Sequence, residues 1–386
     1  MSAFFKVFPF LLLISVMFIY PQEVLSSASV GINLWANYVL PALLPFFIIS
    51  DLLMKQGFIH FLGVMLEPLM RPLFRLPGKA SFIIAMTHTS GIPIGAILTC
   101  KMRQAGELTK YEGERLLAFT SNPSPGFMFG AVASGMLGNP ALGIIIAGSV
   151  YIANIIVGLL FRFYGPHESH QSKYSFSLHQ AWREMEAIQK KNKKPLGDML
   201  AEAIRESLST MLLVGGFIVL FSVITHMLNV LPIASKLAHG ISLLTSGKIP
   251  PTGGNALIQG FLETTLGCKA AVSGFSSLHL QIGVIAFMLG WGGLSVFAQV
   301  ASFTSSTDLR FLPFVLGRIL HAFLAIVFSQ ILLYWTVLPT MLPIRLGNLP
   351  LWLYSLQWST VYFAFFLLLL VVCALFSMFW FQSSRR

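Results

Sequence analysis

"LAFTSNPSPGFMFGA", from Leu117 to Ala131, is apolar at both ends and polar in the middle. Pro123 and Pro125 lack the amide hydrogen a helix needs, and Gly126 is conformationally loose. Ser121, Asn122 and Ser124 add hydrogen-bonding groups at the same place. Lipid cannot satisfy the amides and carbonyls that such a break exposes, so the break must face protein or a wet cavity.

The chain around it has the composition of a membrane protein. Of 386 residues, 55% are hydrophobic and 10% charged, against about 25% charged in soluble domains. The net charge of +11 would point to nucleic acid only if the basic residues shared one aqueous face. They sit instead in short segments between apolar runs, so the lipid bilayer is the expected partner and nucleic acid is not. Cys100, Cys268 and Cys373 lie in or beside apolar runs without CxxC spacing and read as small buried hydrophobes.

A bilayer core takes about 20 apolar residues in a helix. Runs of that size fall at 4–20, 34–54, 116–134, 140–163, 208–231, 281–302, 310–338 and 358–381. The fold class is therefore an all-α polytopic membrane protein of about eight transmembrane helices. Two shorter stretches, 81–99 and 255–275, are interrupted by Gly, Thr or Pro and read as re-entrant hairpins. With both termini cytoplasmic, this assignment puts 20 of the 25 Lys and Arg inside, as the bias of basic residues requires. The first run resembles the apolar region of a signal peptide, but no small-x-small cleavage site follows promptly, so it reads as a retained span.

The break recurs. "IAFMLGWGGLSVFAQ", Ile285 to Gln299, sets Ala286-Phe287 opposite Ala118-Phe119, and Gly290 to Leu294 opposite Asn122 to Gly126. Each half then reads as span, hairpin, broken span, span. Three crossings per half invert the second copy, and inverted repeats with discontinuous helices are the plan of secondary transporters. The expected organisation is an N-terminal helix and external loop (1–30), a first repeat (31–163), a cytoplasmic linker (164–206), a second, inverted repeat (207–338), and an external loop with a C-terminal helix (339–386). The two halves are expected to move against one another around a substrate.

Candidate binding residues follow from this plan. "AMTHTSGIPIGA" puts Thr87, His88, Thr89 and Ser90 at the tip of the first hairpin, and "GFLETTLGCKA" puts Glu263, Thr264 and Thr265 in the second. These hydroxyls suit a substrate or cation and serve equally well as local helix caps. Glu263 is a carboxylate near the membrane interior, where such groups are paired, protonated or ion-binding, or else cap a helix at an interface. Ser121, Asn122 and Ser124 mark the first break; Trp291 and Gln299 mark the second. In "FVLGRILHAFLA", Arg318 has His321 on the same helical face; the arginine either meets a substrate carboxylate or snorkels to the surface. No GxSxG, P-loop or HExxH motif is present, so no enzyme activity is expected. A non-transporting sensor or scaffold and a homo-oligomer stay open.

The order of span, hairpin and broken span, with "SNPSPGF" and "FLETT", resembles the gate, or nucleoside-recognition, domain of bacterial membrane proteins, related to the concentrative nucleoside transporters. "YVLPALLPFFIISDLL", "THTSGIPIGA" and "FTSNPSPGFMFGAV" are more closely similar to the stage V sporulation integral membrane proteins of endospore formers, over about residues 31–335. That resemblance implies two gate-type repeats, a place in the outer forespore membrane, and carriage of dipicolinic acid from mother cell toward spore. Dipicolinate, a pyridine with two carboxylates, is a small anionic substrate that suits hydroxyls, helix N-termini and Arg318, with Trp291 or Phe127 for stacking. The first hairpin departs from the nucleoside transporters' Gln-Thr-Glu pattern, having no carboxylate at Thr87 to Ser90. No cofactor is implied, and proton, sodium or no coupling ion stays open.

Overall fold

The computed structural model describes residues 2–166, 177–192 and 194–335. Every described element is helical. The whole segment expected at 339–386, with its external loop, the span at 358–381 and the cytoplasmic C-terminus, lies outside the described residues.

The chain begins with α1 (Ser2–Ile19) and α2 (Pro21–Leu34), bending by 107° between Phe10–Ile19 and Pro21–Asn37. Residues 21–30, read from sequence as an external loop, are thus helical. A wide π-type turn, Trp35–Val39, carries α2 straight into α3 (Leu40–Lys55). Gly57, at φ +78°, makes the corner to α4 (Phe58–Phe74), a left-handed conformation that favours glycine. There follow α5 (Ala80–Ser90), α6 (Ile94–Gln104) and α7 (Lys110–Phe119). A capping box opens α7: Thr109 Oγ1 accepts from the Glu112 amide, and the Glu112 carboxylate accepts from the Thr109 amide at 2.9 Å. The prolines close α7, leaving Thr120 to Ser124 without helical structure. The chain resumes as a π-type segment, Gly126–Met136, and then α8 (Leu142–Phe161).

Beyond α9 (Leu178–Lys191) come α10 (Leu196–Val230), α11 (Ile233–Leu244), a hairpin of α12 (Pro251–Leu262) and α13 (Thr264–Gly274), then α14 (Leu278–Trp291), α15 (Gly293–Thr304) and α16 (Leu312–Trp335). At the second break only Gly292, at φ +90°, separates α14 from α15, and Leu278–Thr304 is one continuous apolar stretch. The first break is wider because two prolines, rather than two glycines, interrupt it.

Among the described residues, four helices are long and apolar enough to cross a membrane: Leu142–Phe161, Leu196–Val230, Leu278–Thr304 and Leu312–Trp335. Counting each bent pair as one span gives up to 6. The expected span at 116–134 instead falls into two short pieces, because Pro123 and Pro125 deny it a continuous ladder. Outward faces are apolar where lipid would lie: Ile144, Ile155 and Leu160 on α8, Leu316, Phe323 and Val327 on α16.

Both arms of the first hairpin return to one charged face. Lys79, before α5, bonds Glu107, and Lys101, on α6, bonds Asp51 at 2.9 Å and Glu206 at 2.7 Å. Arg71 joins Glu67 to Glu112, each at 2.6 Å. Arg103 grips Asp308, and Arg310 grips the fully buried Glu114. The elements of the two halves are interleaved: α16 packs on α8 and α7 as well as α14, α6 on α15, and the Gly126–Met136 segment on α13.

The His60 hydrogen bond holds the Glu107 carboxyl down to about 2, against burial and with help from Lys79. A carboxyl depressed on folding stabilises above its unfolded value, about 4.5, and loses that contribution as pH falls through the folded one. Glu107→Gln should therefore lower the thermal midpoint at pH 7, with the difference from wild type narrowing between pH 4.5 and pH 2. A difference that stays constant across that range would mean Glu107 contributes through shape rather than charge.

Candidate functional site

Each hairpin tip rests on the helix break of its own half. A side chain at Gly91, in the first tip, would lie 2.7 Å from the Ser124 amide nitrogen. At the second break, a side chain at Gly293 would lie 3.0 Å from the Leu262 carbonyl and 3.1 Å from the Thr264 amide nitrogen. The polar residues singled out in the sequence accordingly divide into two groups.

The first group is fully enclosed. Arg318, Ser121 and Asn122 each expose 0% of their surface. Arg318 faces inward, on the stripe of α16 formed with Gly317, His321 and Ala322, so it does not snorkel. Its guanidinium donates to the Ser121 carbonyl and, at 2.7 Å, to His321 Nδ1. His321 Nε2 donates in turn to the Val150 carbonyl at 2.8 Å. No carboxylate reaches Arg318 among the described residues, and its Nε has no partner. Nor have the Ser121 hydroxyl, the Ser90 hydroxyl, or either amide atom of Asn122.

His88 belongs to the same neighbourhood. Its Nδ1 donates to the Ile84 carbonyl at 2.7 Å, and Asn154 Nδ2 lies 3.5 Å from its Nε2. Tyr151 ties hairpin to break, its hydroxyl donating to the His88 carbonyl at 3.1 Å and the Pro123 carbonyl at 3.4 Å. Asn154 and Tyr151 were missed from the sequence, although an asparagine inside an apolar 20-residue helix is itself a signal. Thr87 and Thr89 bond carbonyls of the preceding turn of α5, and Ser124 caps the next segment by accepting from Phe127. These three act locally.

The second group sits at the other tip. Glu263 is half-buried and caps α13, its carboxylate accepting from the Leu266 amide at 2.7 Å and from Thr265. It lines a small crevice with Gly31 and Leu34 of α2 and Ser222 of α10. No basic group pairs with it among the described residues. The Thr264 hydroxyl is buried without a partner. Trp291 donates to the Phe261 carbonyl at 3.1 Å and stacks on the Phe261 ring. Gln299 is buried, 3.4 Å from the Ser295 hydroxyl, with no contact to Arg318. The sequence-derived set is thus an arginine-centred cluster and a separate glutamate-capped tip.

Unpaired hydrogen-bonding groups are rare inside folded proteins, and a buried cation without a counter-charge costs several kcal/mol. Such a cluster is chemically prepared for an anion with acceptor atoms. Together with its apolar exterior, the molecule is an integral membrane protein whose described elements are all helices, with hairpins and a broken helix enclosing a cationic polar cluster. The chain belongs to the family of the sporulation integral membrane protein YlbJ. It is 39% identical over 341 residues to YlbJ of Bacillus subtilis (strain 168), a match covering 86% of this chain and 82% of that protein. An uncharacterized protein of Alkalihalophilus pseudofirmus is 35% identical over 78 residues, 19% of this chain and 17% of that protein. No family model matches the chain, and no solved structure does.

Proposed function

We propose that the protein is a secondary transporter of a small organic anion, with dipicolinate as its substrate and the outer forespore membrane as its place of work. The observation that carries this reading is Arg318: fully buried and, among the described residues, bonded only to a carbonyl and an imidazole, with Nε unpaired. A guanidinium edge beside the unpaired Ser121 and Asn122 suits a carboxylate, the ligand arginine holds best. Membership of a family represented by a protein named for sporulation supports the setting.

The recurring order of elements supports an inverted repeat of two gate-type units. Hairpin, broken helix and long helix appear as α5–α6, α7 with Gly126–Met136, and α8, and again as α12–α13, α14–α15 and α16. On this reading the linker between the units is cytoplasmic, the breaks lie at membrane depth, and the enclosed cluster is the occluded state of an alternating-access cycle.

Dipicolinate exchange by proteoliposomes tests the proposal. Wild type should exchange labelled dipicolinate, and a Ser121→Ala/Asn122→Ala double variant that inserts normally should exchange at least about tenfold more slowly, since two hydrogen bonds to a charged ligand are each worth about 1.5–3 kcal/mol. Absence of exchange by wild type under imposed proton and sodium gradients would sink dipicolinate transport and favour a scaffold role in spore maturation.

A further inference from the structure

The partner of Arg318 on its own helix bears on what travels with the anion. We propose that His321 is a proton-binding site, and that one proton enters the buried cluster with each dianion. The inference rests on the transport reading above and names its coupling ion.

The hydrogen bonds fix the present state of the ring. A guanidinium has only donors and a carbonyl only acceptors. Nδ1 of His321 therefore accepts from Arg318, and Nε2 carries the hydrogen given to Val150. The imidazole is neutral, in one tautomer. A proton added at Nδ1 would place a second donor and a second positive charge opposite the guanidinium nitrogen 2.7 Å away. That bond must then open. What results is a guanidinium N–H and an imidazolium N–H, both released toward a common acceptor.

One rival stands nearby, the imidazole of His88, whose Nε2 lies 3.5 Å from Asn154 Nδ2; the other groups named below have partners of their own. The ionisable groups facing His321 are Arg318 and His88. Among the helices packed on α16, α8 brings only Tyr151, whose hydroxyl is bonded to the first tip and break. Along α7, Glu112 and Glu114 are held by Arg71 and Arg310, and Arg115 donates to the carbonyls of Tyr164 and Arg75. His279 of α14 lies at the far end, 3.3 Å from Gln330.

Charge balance gives the stoichiometry. Arg318 alone brings the enclosed cluster one positive charge, which a monocarboxylate neutralises. A dicarboxylate would leave one uncompensated negative charge in a buried interior, an arrangement that costs several kcal/mol. A proton on His321 removes that excess. It binds the Nδ1 lone pair as the anion enters and leaves when Arg318 reclaims Nδ1. No bond other than N–H is made or broken. The cluster thereby distinguishes substrates by charge: a dianion brings a proton, a monoanion does not.

The test counts protons. Dipicolinate is titrated calorimetrically into the purified full-length protein at pH 8, in buffers of different ionisation enthalpy. Wild type should take up about one proton per dianion bound, and picolinate, with a single carboxylate, should take up none. His321→Gln, whose amide can still accept from Arg318 and donate to Val150, should bind dipicolinate without proton uptake. If that variant fails to fold, the wild-type comparison of dipicolinate with picolinate carries the test alone. Exchange of dipicolinate by proteoliposomes with no proton uptake on binding overturns the role of His321 and leaves transport standing. Absence of exchange overturns transport and this inference with it.

Discussion

Arg318→Met should reduce dipicolinate exchange by about thirtyfold or more while leaving the thermal stability of the purified protein unchanged or higher. Removing one member of a buried charge pair costs about 2–5 kcal/mol of binding, and each 1.4 kcal/mol is about tenfold. Stability is expected to respond in the opposite sense. In the unliganded protein the guanidinium has no counter-charge among the described residues, and its burial costs several kcal/mol. Methionine removes that cost in a similar volume. It leaves the Ser121 carbonyl and His321 Nδ1 without a donor, at about 1–3 kcal/mol each, so the two effects roughly cancel or favour the variant. A sharp fall in the thermal midpoint together with retained exchange would show that Arg318 is a structural brace instead.

The second large effect belongs to two glycines at the same site. A side chain at Gly317 would lie 2.2 Å from the Ala118 carbonyl oxygen, and one at Gly95 would lie 1.8 Å from the Thr120 carbonyl oxygen. Those atoms are backbone and cannot rotate aside, so α16 must move off α7, or α6 off the break, by more than about 1 Å to restore van der Waals contact. Overpacking of this kind costs about 1–3 kcal/mol. Gly317→Ala and Gly95→Ala should each lower the thermal midpoint by several degrees and abolish exchange, because they displace Ser121 and Asn122 from Arg318. Gly216→Ala, where nothing lies within 4 Å, is the control and should be neutral or slightly stabilising, as alanine is the better helix former. Equal midpoints for all three variants would remove the close approach as the feature that sets the site.

Much of this was legible in the amino-acid sequence, for identifiable reasons. Prolines and glycines act locally, so the break at Thr120 to Ser124 and the two hairpin stretches, 81–99 and 255–275, could be read directly. Inward or outward orientation of Arg318 could not, because both fit an apolar helix two turns beyond Arg310. Only packing against α7 and α8 decides it. The pairing of Glu114 with Arg310, or Arg103 with Asp308, joins residues about two hundred positions apart and leaves no periodic trace. The helix α4 escaped notice because its charged residues look like a solvated loop until their partners on α7 are in place. Glu263 caps α13, one of the two roles its place in the sequence allowed, and that no basic group among the described residues pairs with it is a property of the fold.

The interleaving of the two halves bears on how the enclosed cluster gains access to either side. Arg310, just before α16, holds Glu114 of α7, Arg318 of α16 holds the Ser121 carbonyl just beyond α7, and α16 also packs on α7 and α8. Rocking the first half of the chain against the second would have to shear all of these contacts at once. On the transport reading, the moving unit is therefore neither half of the chain alone but a block cross-tied from both.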